Sequence, residues 1–538
     1  MSVRVKTLKV FIALKEGLKS LREISIHIGT SKSSVDRSLK AVERRNCHPE
    51  SWLWETEEGQ EWIRFLVLAV LIDFGINGGI GAEHISQFFK RSRLDKQFGA
   101  SPTSIQTMIK RIESLFAIYQ NEQEEKQRQT GKSREVIIGG DETFFARFMV
   151  LVLMDLPSGY LIMEEVATDR SYDTWKEKAK KRLEEIRLFA VHFVSDRAPA
   201  LIKLAIEGLG CQAGADLFHG EYEITKWLGS AFSRQLGAAI KNIEKSKTLL
   251  TVLQGKANTI PENIQETEKE IEQHESVLKT IVSGKDSYKG ILQKISTIVH
   301  PFSIEENGQQ TSEQVENILN NQAQELKIIA GNNGISDSQG ALEKFVRQIK
   351  DISGIVSAWW GWAEGSIATF GLEPFMINWL LFTLLPVVYW HKQMKITKNK
   401  RLKAVYRKAW EQALAEYHAN PLTQRLSSVD VARWRAWAEW MTNKFQRTSS
   451  AVEGRNGCLS QMYHNGRGMT VRRLKALTVS HNFDRRRGDG TTAAERLFGM
   501  QFPDLFEWTV ERMGELPLAR KSRERVISNP LILQSVPA

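Results

Sequence analysis

The sequence predicts a multidomain α+β protein with a helical N-terminal region, an α/β core on one mixed sheet, and a large all-α insertion in that core. Three observations carry this. Between Arg134 and Asp196, β-branched and aromatic runs alternate with turn signals, the pattern of strands. From about 231 to 440, strand signal gives way to apolar residues at helical spacing. Before residue 133, short helical patterns are separated by glycines and a Ser-Pro pair. At 538 residues the chain is long enough for two to four domains. The expected divisions are 1–50, 51–133, 134–230, 231–440, 441–500 and a C-terminal tail, 501–538.

Residues 1–46 carry eleven basic and four acidic side chains. Leu21, Ile24 and Ile28 fall on one helical face, and Gly29 breaks that helix. Thr30 or Ser31 can cap a second helix that carries Val35, Leu39 and Val42 inward. Helix, glycine turn, helix at this length is a helix-turn-helix pattern. Its second helix would present Ser31, Lys32, Ser33, Ser34 and Arg37 where base edges and phosphates are read; an ordinary αα-hairpin has the same spacing. Residues 57–120 read as helical, with a break at Gly78-Gly79-Ile80-Gly81. Ser101-Pro102 starts a helix with Ile105, Met108, Ile109 and Ile112 on one side. A second helix-turn-helix and plain bundle packing both fit. Asn121 to Ser133, rich in Gln, Glu and Lys, reads as a linker or a solvated helix end.

The core opens with Glu135-Val-Ile-Ile-Gly-Gly-Asp141-Glu142-Thr-Phe-Phe145, a first strand. Phe148 to Asp155 is a second, and the turn Leu156-Pro-Ser-Gly159 leads into a third, Tyr160 to Met163. A charged helix follows from Ser171 to about Arg187. Phe189 to Val194 is the fourth strand and ends in Ser195-Asp196-Arg197. Asp216-Leu-Phe-His219 reads as a fifth strand before a long helix. Asp141 and Asp196 therefore end the first and fourth strands. If those strands are neighbours, two carboxylates meet at one edge, which suits a metal-dependent phosphoryl-transfer site needing hard oxygen ligands on rigid backbone. Glu142 faces the opposite way from Asp141. Asp155 reads as a turn aspartate. His219, near the same edge, is either a phosphate contact or a satisfied structural histidine.

Within the insertion, Leu236 to Thr280 has the spacing of a charged helical hairpin, coiled-coil-like, with Pro261 near the turn. Asn307–Ser312 and Gly331–Gly340 read as loops. Trp359, Trp360, Trp362, Trp379 and Trp390 suggest a packed helical core. The most apolar stretch, Met376 to Trp390, is too short to span a bilayer and reads as a buried helix, so no membrane partner is expected. His391 to Arg407 holds Lys392, Lys395, Lys398, Lys400, Arg401, Lys403 and Arg407 with no acid, either a solvated face or a phosphate-tracking surface.

Further on, Ser449-Ser-Ala-Val-Glu453-Gly-Arg455-Asn456-Gly457 puts one acid among small and polar residues at a helix start. Asn465-Gly-Arg467-Gly468, Arg472, Arg473, Lys475 and His481-Asn482-Phe483 follow. Lys plus Arg outnumber Asp plus Glu by 74 to 63, a net charge of +11, which favours a polyanionic partner. Cys47, Cys211 and Cys458 lie far apart without zinc spacing and leave an odd thiol, as expected in a reducing, cytoplasmic setting. The basic, polar N-terminus does not read as a signal peptide.

The ordered set of an Asp on strand one, an Asp on strand four and a distant helical Glu resembles the ribonuclease H-like DDE transposases of bacterial insertion sequences. Gly140-Asp141-Glu142-Thr143, Val194-Ser195-Asp196-Arg197 and Ser450-Ala-Val-Glu453-Gly-Arg-Asn456 carry the likeness. The last is similar to the Glu-Gly-x-Asn box around the third acid of several such families. Asn482-Phe483 and Gly490 to Gly499 resemble transposase C-termini. The likeness covers about residues 134–230 and 440–500. It implies a ribonuclease H-like core in which Asp141 is shared by two Mg2+ ions (Mn2+ can substitute), with Asp196 and Glu453 each holding one. The implied activity is DNA strand cleavage and strand transfer of a mobile element. The partners would be double-stranded element ends and target DNA, bound by a homo-oligomer in the cytoplasm at the nucleoid. Ser31, Lys32, Ser33, Ser34, Arg37, His219, Arg455, Asn456, Arg467, Arg472 and Arg473 are the expected DNA contacts, although Arg455 and Asn456, next to Glu453, could instead orient the acid. Asp196 and Glu453 lie 257 positions apart, a departure from compact members that a helical insertion accommodates. The alternatives are a nuclease that cuts without joining, and a DNA-binding regulator or decayed transposase.

Overall fold

A computed structural model of the chain describes residues 3–145, 148–256, 260–464 and 469–520. Two units emerge: residues 1–132 together with 458–538, and residues 133–457.

The first unit opens with α1 (Val3–Lys15), α2 (Leu21–His27) and α3 (Lys32–Arg45). Ser20 and Glu23 form a reciprocal capping box at the start of α2, which satisfies two otherwise orphaned amides. Gly29 takes a left-handed φ of +64°, which glycine adopts without steric cost. Ser31 caps α3 by accepting from the Ser34 amide at 3.3 Å. Val10, Ala13, Ile24 and Val35 are fully buried between these helices, while Lys32, Ser33 and Arg37 are exposed. Next come α4 (Glu57–Ala69), which continues as a π-helical turn over Val70–Asn77, then α5 (Ala82–Arg91) and α6 (Pro102–Gln129). Of the two readings of the segment from Asn121, linker or solvated helix end, the helix end holds as far as Gln129, the last third of α6, though it is not fully solvated. Gln120, Gln123 and Gln127 are buried there; a polar composition does not end a helix when one face is covered.

In the second unit, β1 (Arg134–Phe145), β2 (Phe148–Asp155) and β3 (Tyr160–Ala167) are followed by α7 (Tyr172–Glu185), β4 (Leu188–Ser195), α8 (Pro199–Lys203), β5 (Gln212–Ala215) and α9 (Leu217–Ile224). The sheet order is β3-β2-β1-β4-β5. β1 and β3 flank β2 antiparallel, whereas β4 runs parallel to both β1 and β5. This is a mixed sheet with β1 and β4 as neighbours. Asp155 closes the β2–β3 turn as expected: Oδ2 accepts from the Ser158 amide at 3.0 Å and Oδ1 from the Ile137 amide at 3.1 Å.

Two boundaries differ from the sequence reading. Asp141 does not end its strand, because β1 stays paired with β2 as far as Phe145. It lies two residues beyond the last β1–β4 pair, Gly139 with Val194. The fifth strand is Gln212–Ala215, not 216–219. The Asp216 side chain accepts from the Phe218 amide at 2.8 Å and caps α9, so His219 sits in a helix turn.

The insertion is α10 (Ser230–Gln254), α11 (Pro261–Ile298), α12 (Ser312–Asn332), α13 (Ala341–Ala368), α14 (Pro374–Trp379), α15 (Leu385–Ile396), α16 (Lys400–Ala419), α17 (Pro421–Arg425) and α18 (Ser428–Asn443). Pro261 begins α11, where its missing N–H costs nothing. Helices α14 and α15 join through a π-helical turn into one helix, Pro374–Ile396, which by length and apolarity could cross a membrane. It is longer than the stretch the sequence marked. Its Trp379, Leu380, Leu384, Tyr389 and Trp390 belong instead to the aromatic core of the insertion. His300, fully buried there, has Nδ1 2.5 Å from the Tyr389 hydroxyl and Nε2 3.1 Å from that of Tyr406.

Helix α19 (Ser450–Met462) leaves the second unit at Gly457. Helices α20 (Val471–Phe483), α21 (Ala493–Phe498) and α22 (Leu505–Met513) complete the first. The expected 441–500 segment is therefore divided, and the expected tail contains a packed helix. Tyr119 of α6 supplies the reason: its ring lies 5.4 Å from Phe483 and 5.2 Å from Trp508.

A Cβ on Gly140 would lie 2.9 Å from Cε1 of Phe193, a ring fixed in the neighbouring strand. Gly140→Ala is expected to destabilise the protein by about 1–3 kcal/mol, as overpacking does, read as a lower urea midpoint at an unchanged slope.

Candidate carboxylate site

Three separate elements deliver the acids. Asp141 lies on β1 and Asp196 directly follows β4, each two residues past the pair Gly139–Val194. Glu453 occupies the first turn of α19. That helix rests on β1 at Gly139, where a Cβ would come within 2.8 Å of Val452 Cγ2. One turn on, Asn456 Nδ2 donates to Asp141 Oδ2 at 2.6 Å.

Burial pushes the Asp141 carboxyl up to about 7, and the Glu453 charge adds to it, with Asp196 contributing further. A backbone hydrogen bond from Glu142 acts in the opposite direction. Asp141 thus feels the charges of both other acids. Among the described residues, however, no three His, Cys, Asp or Glu side chains come close enough to form a ready metal cluster. These observations are compatible, because carboxylates repel over distances longer than a shared metal–oxygen shell. Two of the acids are turned onto donors of the chain itself: Asp141 onto Asn456, and Asp196 Oδ1 onto the Ala198 amide at 2.9 Å. Arg197, next to Asp196, holds a left-handed φ of +67° and pairs with Asp351 of α13. Such a conformation in a non-glycine residue costs energy that its surroundings must offset.

Arg455 does not point outward as a DNA contact would. Its guanidinium grips Glu164 on β3 through two bonds of 2.7 Å, with side-chain exposures of 2% and 0%. Helix α19 is thereby fixed across the sheet from β1 to β3. Glu164 carried no sequence signal, because it reads as one more polar residue at a strand end. Asn456 is likewise buried, and its partner is Asp141 rather than a solvent-facing phosphate. Glu142 receives Arg170 Nη1 at 2.5 Å. His219 is half-buried at the start of α9.

The other expected DNA contacts belong to the first unit. Ser31, Lys32, Ser33 and Arg37 are exposed at the start of α3, with Ser34 half-buried. Arg472 is exposed at the start of α20. Arg473 is engaged internally, with Nε 2.5 Å from Glu113 and Nη1 2.8 Å from the Gly75 carbonyl oxygen. Arg467 lies outside the described residues. In the basic 391–407 run, Lys392 donates to the Thr442 carbonyl at 3.2 Å, while Lys395, Lys398, Lys400, Arg401 and Arg407 are exposed.

Residues 380–525 match the model of a family of unknown function, DUF6399. No curated protein matches the chain.

Two outcomes follow from this geometry. Arg455→Met should cost about 3–5 kcal/mol by taking the guanidinium away from the buried Glu164 carboxylate. Arg455→Met with Glu164→Leu should recover most of that, both read by urea unfolding. The second concerns pH. Asp141 binds its proton more tightly folded than unfolded, so in metal-free buffer its contribution to stability falls as pH rises from about 4 through about 7. Asp141→Asn should stabilise the protein at pH 8, and the gain should vanish near pH 4.

Proposed function

We propose that this chain is a DDE-type DNA transposase that cuts and rejoins DNA strands with divalent metal ions at Asp141, Asp196 and Glu453. The observation that carries the reading is geometric: Asp141 on β1 and Asp196 just past the neighbouring β4 lie level with each other, and α19, which bears Glu453, is seated on β1 at Gly139 with Asn456 bonded to Asp141. Sequence proximity cannot account for it, since Glu453 comes from more than 250 positions further along the chain. The neighbouring β1 and β4 support a ribonuclease H-like core, which needs its two aspartates at one sheet edge.

The donor set fits the implied metal. It is all carboxylate oxygen, the ligand type that Mg2+ and Mn2+ favour, and a cation would offset the burial and the neighbouring charges that raise Asp141. When bound, the ions would supply Lewis acidity and an activated water or 3′-hydroxyl. The chain's own residues do the rest. Asp141, Asp196 and Glu453 are the carboxylates that would hold the ions. Asn456 holds one Asp141 oxygen and so fixes the carboxylate plane. Arg455 and Glu164 keep α19 across the sheet and Glu453 over the site. The exposed Lys32, Ser33 and Arg37 on α3 form a helix-turn-helix reading surface for duplex DNA, and the net charge of +11 favours that partner.

The test uses duplexes carrying DNA from either flank of the gene. Nicking should require Mg2+ or Mn2+ and fall by about a thousandfold or more in Asp141→Ala, Asp196→Ala or Glu453→Ala, as expected for groups stabilising transition-state charge. Binding measured by mobility shift should persist in those variants. Joining of a pre-cut 3′-hydroxyl end separates a transposase from a nuclease. Wild-type nicking by Asp141→Ala would end the reading.

A further inference from the structure

The three acids are not adjacent by chain connectivity, and a long intervening segment imposes almost no geometry by itself. Catalytic constellations need placement within about 0.5 Å. Some tertiary link must therefore register Glu453 against Asp196.

We infer that Asp216, with Ser449 and Arg447, is that link: a positioning clamp that joins the end of β4 to the start of α19. The inference rests on the carboxylate-site reading above. The Asp216 amide donates to the carbonyl of Ser195, the residue before Asp196, at 2.9 Å. Its Oδ2 accepts from Ser449 Oγ at 2.5 Å, and its Oδ1 is held by the Phe218 amide at 2.8 Å. The Ser449 carbonyl in turn accepts the amides of Val452 at 2.7 Å and Glu453 at 3.3 Å. One residue thus touches the backbone beside the second acid and the residue that opens the helix of the third. Asp216 and Ser449 are 3% and 4% exposed, so water does not compete for the bond.

Arg447 reinforces the clamp from the insertion. Its carbonyl accepts the Leu217 amide at 3.1 Å. Its Nη1 donates to the carbonyls of Ser296 and Val299 at 2.6 and 3.0 Å, and Nη2 donates to the Tyr406 hydroxyl at 3.3 Å. Those carbonyls stand at the C-terminal end of α11, where orphaned acceptors attract a cation. Tyr406, with Tyr389, faces His300 in the aromatic core. The insertion thereby has a task in the chemistry: its rigid interior holds the strap, 445–449, that sets Glu453.

The test compares full-length wild type with Ser449→Ala, Ser449→Thr and Asp216→Asn. Amide hydrogen exchange at Val452 and Glu453 should quicken about tenfold in Ser449→Ala, the effect of losing one hydrogen bond to a charged group, with β2 and β3 unchanged. Ser449→Thr should restore wild-type protection. Mn2+ affinity without DNA, read by calorimetry, should weaken about tenfold in Ser449→Ala and recover in Ser449→Thr. Unchanged exchange at Val452 and Glu453 in both Ser449→Ala and Asp216→Asn overturns the clamp, as does acceleration spread evenly over the sheet. Local acceleration in a protein that binds no Mn2+ even as wild type upholds the clamp and overturns the metal-dependent reading of the site.

Discussion

The close approach of α19 to β1 governs the second unit. A helix can lie this near a strand only where the strand has no side chain on that face, and Gly139 supplies the gap. From that contact the rest of the site follows. Val452 occupies the gap, Asn456 reaches Asp141, Arg455 crosses to Glu164, and Glu453 is left at the exposed first turn. Burial there raises the Asp141 carboxyl, and the charges of Glu453 and Asp196 add to the rise.

Such a site is costly, and the stability that offsets it lies elsewhere. The aromatic core of the insertion buries Trp359, Trp379, Trp390, Tyr389 and Tyr406 almost completely. Each ring removes roughly 150–250 Å² from water, on the order of 4–6 kcal/mol at about 25 cal/mol per Å² before entropy is counted. That interior is also polar at one point. His300, held neutral by burial, joins Tyr389 and Tyr406, and Arg447 attaches to the same cluster. A buried polar network of this kind stabilises one arrangement over its alternatives. Here it fixes the chain just before the third acid.

Much of the second unit could be read from sequence, and particular residues explain why. The strands were legible because apolar runs such as Phe148–Asp155 are buried on both faces and stop at turn residues. The charged hairpin of α10 and α11 was legible through Pro261 and the spacing of its apolar positions. Polar segments misled. Asn121–Gln129 continues α6 under cover, and Asp216 caps a helix where its apolar neighbours, Leu217 and Phe218, suggested a strand. Arg455 looked like a DNA contact because its partner, Glu164, lies 291 positions away.

Local chemistry in the sequence determined where most strands and helices form, which residues cap several of them, and that Asp196 follows directly on the fourth strand. Those outcomes depend on neighbours a few positions apart, and such neighbours are visible in a linear chain. Only the tertiary structure decided that α19 lies on β1, that Asp216 joins Ser195 to Ser449, and that α20, α21 and α22 fold with the N-terminal helices rather than with the sheet. Each of these depends on close packing or on a buried hydrogen bond between residues hundreds of positions apart. Hydrophobic periodicity specifies that a face will be covered, but it does not specify by what.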